Sequence, residues 1–178
     1  MEKIPKVFIS YSWSGKEFEK KVEELAIRLM GHQVNVLFDK WYLTPGQNKY
    51  RFMEKAVVDR DIDKILIICD RKYKDKADHR IGGVGEETLI ISPQLYQDQS
   101  TDKFIPVIFE FDENKRPCCP AYIESIIYID LSSADTYEKE YEKLLRAIYN
   151  KPLHKKPPIG KKPRFLLDEV VLKESAKQ

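Results

Sequence analysis

Two adjacent carboxylates, Glu86 and Glu87, stand between a glycine-rich turn and an apolar run in the stretch GGVGEETLIIS, residues 82–92. Such a pair can deliver a catalytic group to a cleft. A glutamate in the first turn of a helix is also favoured by the macrodipole whatever its chemistry, so from position alone the solvated helix start is the simpler reading. The two tryptophans, Trp13 and Trp41, both fall just past the ends of apolar runs. Either alone caps a core, but two in neighbouring loops offer flat apolar faces that can sandwich a nucleobase or nicotinamide ring.

Other chemistries find less support. GGVG lacks the Lys-Ser/Thr of a phosphate-binding P-loop and the GxGxxG spacing of a dinucleotide fingerprint. His32, His79 and His154 lie far apart with no partnered Ser or Cys, so neither a triad nor a zinc site is expected. Cys69, Cys118 and Cys119 show no ligand spacing, and Cys69 sits in an apolar run where a thiol behaves as a small hydrophobe. A net charge of +2 is too small to argue for nucleic acid. No run approaches the roughly 20 apolar residues of a membrane span, and the opening residues lead straight into a short apolar strand. The expectation is a reducing, cytoplasmic location without direct nucleic-acid or membrane contact.

The elements that must position these groups are legible from periodicity. With 42% hydrophobic and 34% charged residues, the 178-residue chain has the composition of a globular protein. Apolar runs at 6–10, 34–38, 64–69, 104–109 and 125–129 are near-continuous rather than alternating, the pattern of strands buried on both faces of a parallel sheet. Between them, residues 16–30 carry a stripe of Phe18, Val22, Leu25 and Leu29 behind a Ser14/Glu17 capping box. Residues 48–59 carry Phe52, Met53, Ala56 and Val57, and residues 136–149 carry Tyr137, Tyr141, Leu144, Leu145 and Ile148 behind an Asp135/Glu138 box. Alternating strand and helix predicts an open, doubly wound α/β sheet. Ligands of such sheets bind outside the carboxyl ends of the strands, which directs attention to the loops 10–15, 39–48 and 70–87. Pro93, about six residues beyond Glu87, predicts a kink or a short helix in LIISPQLYQ.

Residues 151–164, KPLHKKPPIGKKPR, read as a solvated basic linker whose prolines forbid a regular helix. The expectation is a domain at 1–150, followed at 151–178 by this linker and the start of a missing C-terminal sensor element, with a helix docking back on the sheet as the competing possibility.

Three ordered blocks, KVFISYSW, VNVLFDKWYLTPGQ and RKYKDKADHRIGGVGEETLIIS, resemble the SEFIR branch of the Toll/interleukin-receptor (TIR) superfamily, over about residues 5–150. The resemblance implies a flavodoxin-like three-layer α/β fold with a five-stranded parallel sheet and helices on both faces. For enzymatic bacterial members it implies cleavage of NAD as substrate, with no cofactor, using one glutamate on the helix after the third strand, here Glu87. Tyr11, Ser12 and Trp13 are then expected on the ribose and nicotinamide side. Asp39 and Trp41 stand at the start of a loop, 39–48, that borders the substrate cleft and mediates homotypic assembly. The nicotinamide of NAD leaves as a neutral molecule, so a single carboxylate suffices where ordinary glycosidases need two. Other members of the superfamily are adaptors that only assemble, and that alternative stands beside the enzyme, an immune effector activated by assembly.

Overall fold

The computed structural model describes residues 2–79 and 89–167. Five parallel strands, β1 (Lys6–Ser10), β2 (Asn35–Leu37), β3 (Lys64–Cys69), β4 (Phe104–Ile108) and β5 (Ile129–Asp130), form one sheet in the order β2-β1-β3-β4-β5. This is the flavodoxin-like sheet of five parallel strands that the family resemblance implies. The central strands β3 and β4 are buried almost throughout, which is why their apolar runs do not alternate.

The helices are α1 (Lys16–Gly31), α2 (Asp39–Tyr42), α3 (Lys49–Val58), α4 (Arg71–Asp78), α5 (Pro93–Gln97) and α6 (Tyr137–Ile148). Strand order reverses direction after β2, so right-handed crossovers put α1 on one face of the sheet and α3 on the other. The last helix, α6, returns to the face of α1. There Arg28 forks onto Glu138 at 2.9 and 2.6 Å, and His32 Nδ1 lies 2.8 Å from the Tyr141 hydroxyl.

Several boundaries differ from expectation for identifiable reasons. Neither capping box forms. The N-cap of α1 is Gly15, at φ 103°, and the N-cap of α6 is Thr136 without a side-chain bond. Ser14 instead reaches Asp70, and Glu138 reaches Arg28. The 70–87 stretch, read as loop, contains α4, whose buried face is only Tyr73 and Ala77 and so leaves little periodic signal. Leu89 to Ser92 form neither helix nor strand, and Pro93 opens α5 at a position that needs no backbone donor, behind the Ser92 cap.

The fifth strand is the largest shift. The predicted run 125–129 is mostly surface, with Ile127 at 92% exposure, and pairing begins only at Ile129. Phe109 N–H donates to Cys69 O and Leu131 N–H donates to Ile108 O. Odd positions of β4 therefore face β3, and even ones face β5. Pro106 thus turns its missing donor toward the fifth strand, and the ladder cannot extend back past it.

Residues 151–163 are exposed and form neither helix nor strand. Among the described residues no helix is long and apolar enough to cross a membrane.

Candidate functional site

In the order β2-β1-β3-β4-β5 the sheet has its switch point between β1 and β3, where flanking connections diverge and leave a crevice at the carboxyl ends. The segment after β1 and the first residue after β3 are tied together there. Asp70, almost fully buried, accepts Ser12 Oγ on Oδ1 at 2.8 Å and Ser14 Oγ on Oδ2 at 2.6 Å. The same carboxylate caps α4 by accepting Tyr73 N–H at 2.8 Å. One acidic group thus fixes the 11–15 turn and starts the helix that follows β3. Gly15 completes the turn at a φ that side-chain-bearing residues rarely adopt.

Two cavities flank Trp13. One, of about 600 Å³, is lined by Trp13, Ser14, Gly15, Asp70 and Glu110 and by Arg71, Lys72, Asp75 and Lys76 of α4. Lys72 Nζ donates to Trp13 O at 2.5 Å, and Arg71 pairs with exposed Glu113 at 2.8 Å. The other, of about 340 Å³, is lined by Trp13, Glu19, Asp39, Lys40, Leu43 and Lys49. Here Lys49 Nζ sits 3.7 Å from the centre of the Trp13 ring.

Beneath the second cavity lies a buried pair. Tyr11 donates from its hydroxyl to Asp39 Oδ1 at 2.8 Å, and both side chains are buried. Burial pushes the Asp39 carboxyl above its ordinary value, with the Tyr11 hydrogen bond and Lys40 opposing the rise. Burial and the neighbouring Asp39 together keep the Tyr11 phenol protonated. The Trp13 indole Nε1 is buried without a normal hydrogen bond, although it stands close enough to the phenol to oppose part of that rise. A buried, perturbed carboxylate beside a cleft is a feature of functional sites.

A second polar network secures the far side of β1. Ser10 Oγ donates to Leu89 O, and its single proton is thereby committed. The Tyr73 hydroxyl, 2.8 Å from Ser10 Oγ, must donate to that oxygen while accepting Ile91 N–H at 3.0 Å. Tyr122 closes the chain by donating to Ile91 O at 2.6 Å. Leu89, Ile90 and Ile91 are fully buried, so this segment is bound to the core by hydroxyls where no ladder reaches it.

The structure thus gathers Trp13 and Asp39 at one cavity, with Tyr11 and Ser12 buried under the wall rather than lining it. Trp41 stands apart, edge-on to Phe38 at 5.2 Å and 40% exposed, so the two indoles form no sandwich here. Glu86, Glu87 and the glycines before them lie outside the described residues. Asp70 and Lys49 escaped the sequence reading. Asp70 carried a signal, being an N-cap residue type directly after an apolar run, whereas nothing local marks Lys49 as a partner of Trp13. The thiols of Cys69, Cys118 and Cys119 are buried and unpaired, and burial raises the pKa of each. Among the described residues no three His, Cys, Asp or Glu side chains converge as a metal site.

The family model for the TIR domain matches residues 7–145. The chain belongs to the TIR domain family. A crystal structure of a prokaryotic SEFIR domain is 38% identical and superposes with a TM-score of 0.74, covering 88% of this chain and 99% of that one. This TIR domain is therefore of the SEFIR/TIR kind anticipated from its three sequence blocks. The TIR domain of a Toll-related receptor, TRR-2, from Hydra magnipapillata has a TM-score of 0.56 at 15% identity, covering 80% of this chain and 96% of that one, a likeness of fold alone. No curated protein matches the chain.

Proposed function

We propose that this SEFIR/TIR domain cleaves the bond between nicotinamide and ribose in NAD, as a bacterial immune effector switched on by assembly. The observation that carries the reading is the cleft at the β1/β3 switch point. There an indole and a serine from the 11–15 turn face Arg71, Lys72 and Lys76 across about 600 Å³, a volume that suits a dinucleotide. Arg71, Lys72 and Lys76 offer cationic partners for a pyrophosphate among the acidic residues Asp70, Asp75 and Glu110, and the Arg71–Glu113 pair, exposed on both sides, is weak enough to exchange for one.

In the proposed reaction the C1′–N bond breaks, the bonding electrons leave with nicotinamide as a neutral molecule, and water adds to C1′ with release of a proton. No general acid is needed. Glu87 accepts ribose hydroxyls and stabilises the oxocarbenium charge. Its support is the family resemblance of the GVGEET block. Trp13 contributes from the cleft wall, Asp39 from the adjoining smaller cavity, Tyr11 and Ser12 from beneath, and Trp41 from the 39–48 loop.

A second reading, a domain that assembles without cleaving, draws on that loop, where Trp41 and Tyr42 expose 40% and 48% of their surfaces. The test incubates full-length protein with NAD, with and without conditions that assemble it, and follows NAD loss and free nicotinamide. The enzyme reading expects release in the assembled state, loss of it in Glu87→Gln, and near wild-type release in Glu86→Gln. NAD that survives every assembled state leaves the adaptor.

A further inference from the structure

The smaller cavity beside Trp13 has the makings of a cation site: an indole face with two carboxylates, Glu19 and Asp39, on its wall. Its two lysines divide these features between them. Lys40 Nζ lies 3.8 Å from Glu19, while Lys49 Nζ lies over the indole at 3.7 Å from the ring centre. Lys49 is the first residue of α3, where the helix dipole disfavours a positive charge. Its seat is therefore set by the tryptophan rather than by its own helix.

We infer that Lys49 is an internal competitor for the face of Trp13, and that a ligand with a delocalised cationic ring of the N-alkylpyridinium class binds by displacing it. The ligand class rests on the NAD reading, since the nicotinamide of NAD is such a ring. Relative hydration decides which cation wins. An ammonium is compact and strongly hydrated, so its return to water is cheap. A pyridinium is flat and its charge is spread, so it gains stacking over the indole as well as the electrostatic attraction. Lys49 sits on an exposed part of the chain and has room to swing out. The domain at rest thus covers its own aromatic platform with a weakly held group.

Removing the competitor has a calculable effect. A cation–π contact at an exposed site corresponds to about a two- to fivefold change in affinity. The probes are N-methylnicotinamide, which is cationic, and nicotinamide, which is neutral, each titrated into wild type, Lys49→Met and Lys49→Arg while the Trp13 indole N–H resonance is followed by NMR. The expected result is about two- to fivefold tighter binding of N-methylnicotinamide to Lys49→Met, a smaller gain for nicotinamide, which carries no charge to be repelled by the displaced lysine, and weaker binding of N-methylnicotinamide to Lys49→Arg, whose planar guanidinium holds the indole face better than an ammonium. Unchanged or weaker N-methylnicotinamide binding in Lys49→Met overturns the inference. So does equal improvement for both probes, which would mean simple steric cover, or absence of binding to any of the three proteins. The titration reads binding alone, so a domain that never cleaves NAD can pass it and an active enzyme can fail it.

Discussion

Replacing Tyr73 with Phe removes one oxygen from a fully buried ring and tests how the segment after residue 88 is held. That oxygen accepts Ile91 N–H at 3.0 Å and donates to Ser10 Oγ at 2.8 Å. In Tyr73→Phe the Ser10 proton still reaches Leu89 O, so the main loss is the Ile91 amide, left buried without a partner. An orphaned buried donor costs about 1–3 kcal/mol, and about 2 kcal/mol is the expected destabilisation. For a domain of this size that is a fall in Tm of about 4–8 °C. The loss is also local, because Leu89 to Ile91 belong to no helix or strand. Hydrogen exchange at the Ile91 amide should accelerate by at least about thirtyfold, the factor equivalent to 2 kcal/mol, and amides in β3 that open only with global unfolding by no more than that factor. Urea unfolding and exchange measured by NMR on both proteins check this. A variant within about 0.5 kcal/mol of wild type with Ile91 still protected would refute the idea that Tyr73 pins this segment.

Asp39→Asn should stabilise the domain at neutral pH. The folded carboxyl has its pKa raised above the unfolded value of about 3.9, so the native state holds the proton more tightly, and wild-type stability falls as pH rises from that value through the raised one. Asparagine keeps an acceptor for Tyr11 and removes this slope. Urea midpoints of the two proteins should diverge in favour of the variant between about pH 4 and 7, and an advantage that shrinks over that range contradicts the assignment. Asp70→Asn presents an amide where Asp70 now accepts Ser14 on one oxygen and Ser12 with Tyr73 N–H on the other. The expected cost is about 1.5–3 kcal/mol by chemical denaturation, with a shifted Trp13 indole resonance reporting the loosened turn.

Much of the fold could be read from hydrophobic spacing because burial is what the apolar runs encode. Lys64 to Cys69 and the α1 stripe of Val22, Leu25 and Leu29 behave as expected for that reason. What escaped was decided by partners distant in sequence. A Ser-x-x-Glu pattern advertises a cap, but the hydroxyl of Ser14 is captured by a carboxylate 56 residues away, and Glu138 by an arginine 110 residues away. The fifth strand was misplaced because Pro106 governs it from across the sheet, which no local window of SIIYI reveals. At the site, Trp13 and Asp39 could be flagged from loop position. The cover of Trp13 by Lys49 could not, since a lysine at a helix start reads as solvated.

The brevity of the two edge strands has a further meaning. β2 offers three residues to its open side and β5 only two, the latter because Pro106 withholds a donor. Edges this short give another chain too few backbone groups to copy, so the sheet cannot grow by adding strands. Any polymer of this domain must be joined through side chains on loops and helices. Its strength then answers to single substitutions and to salt, as that of a backbone-zipped fibre would not.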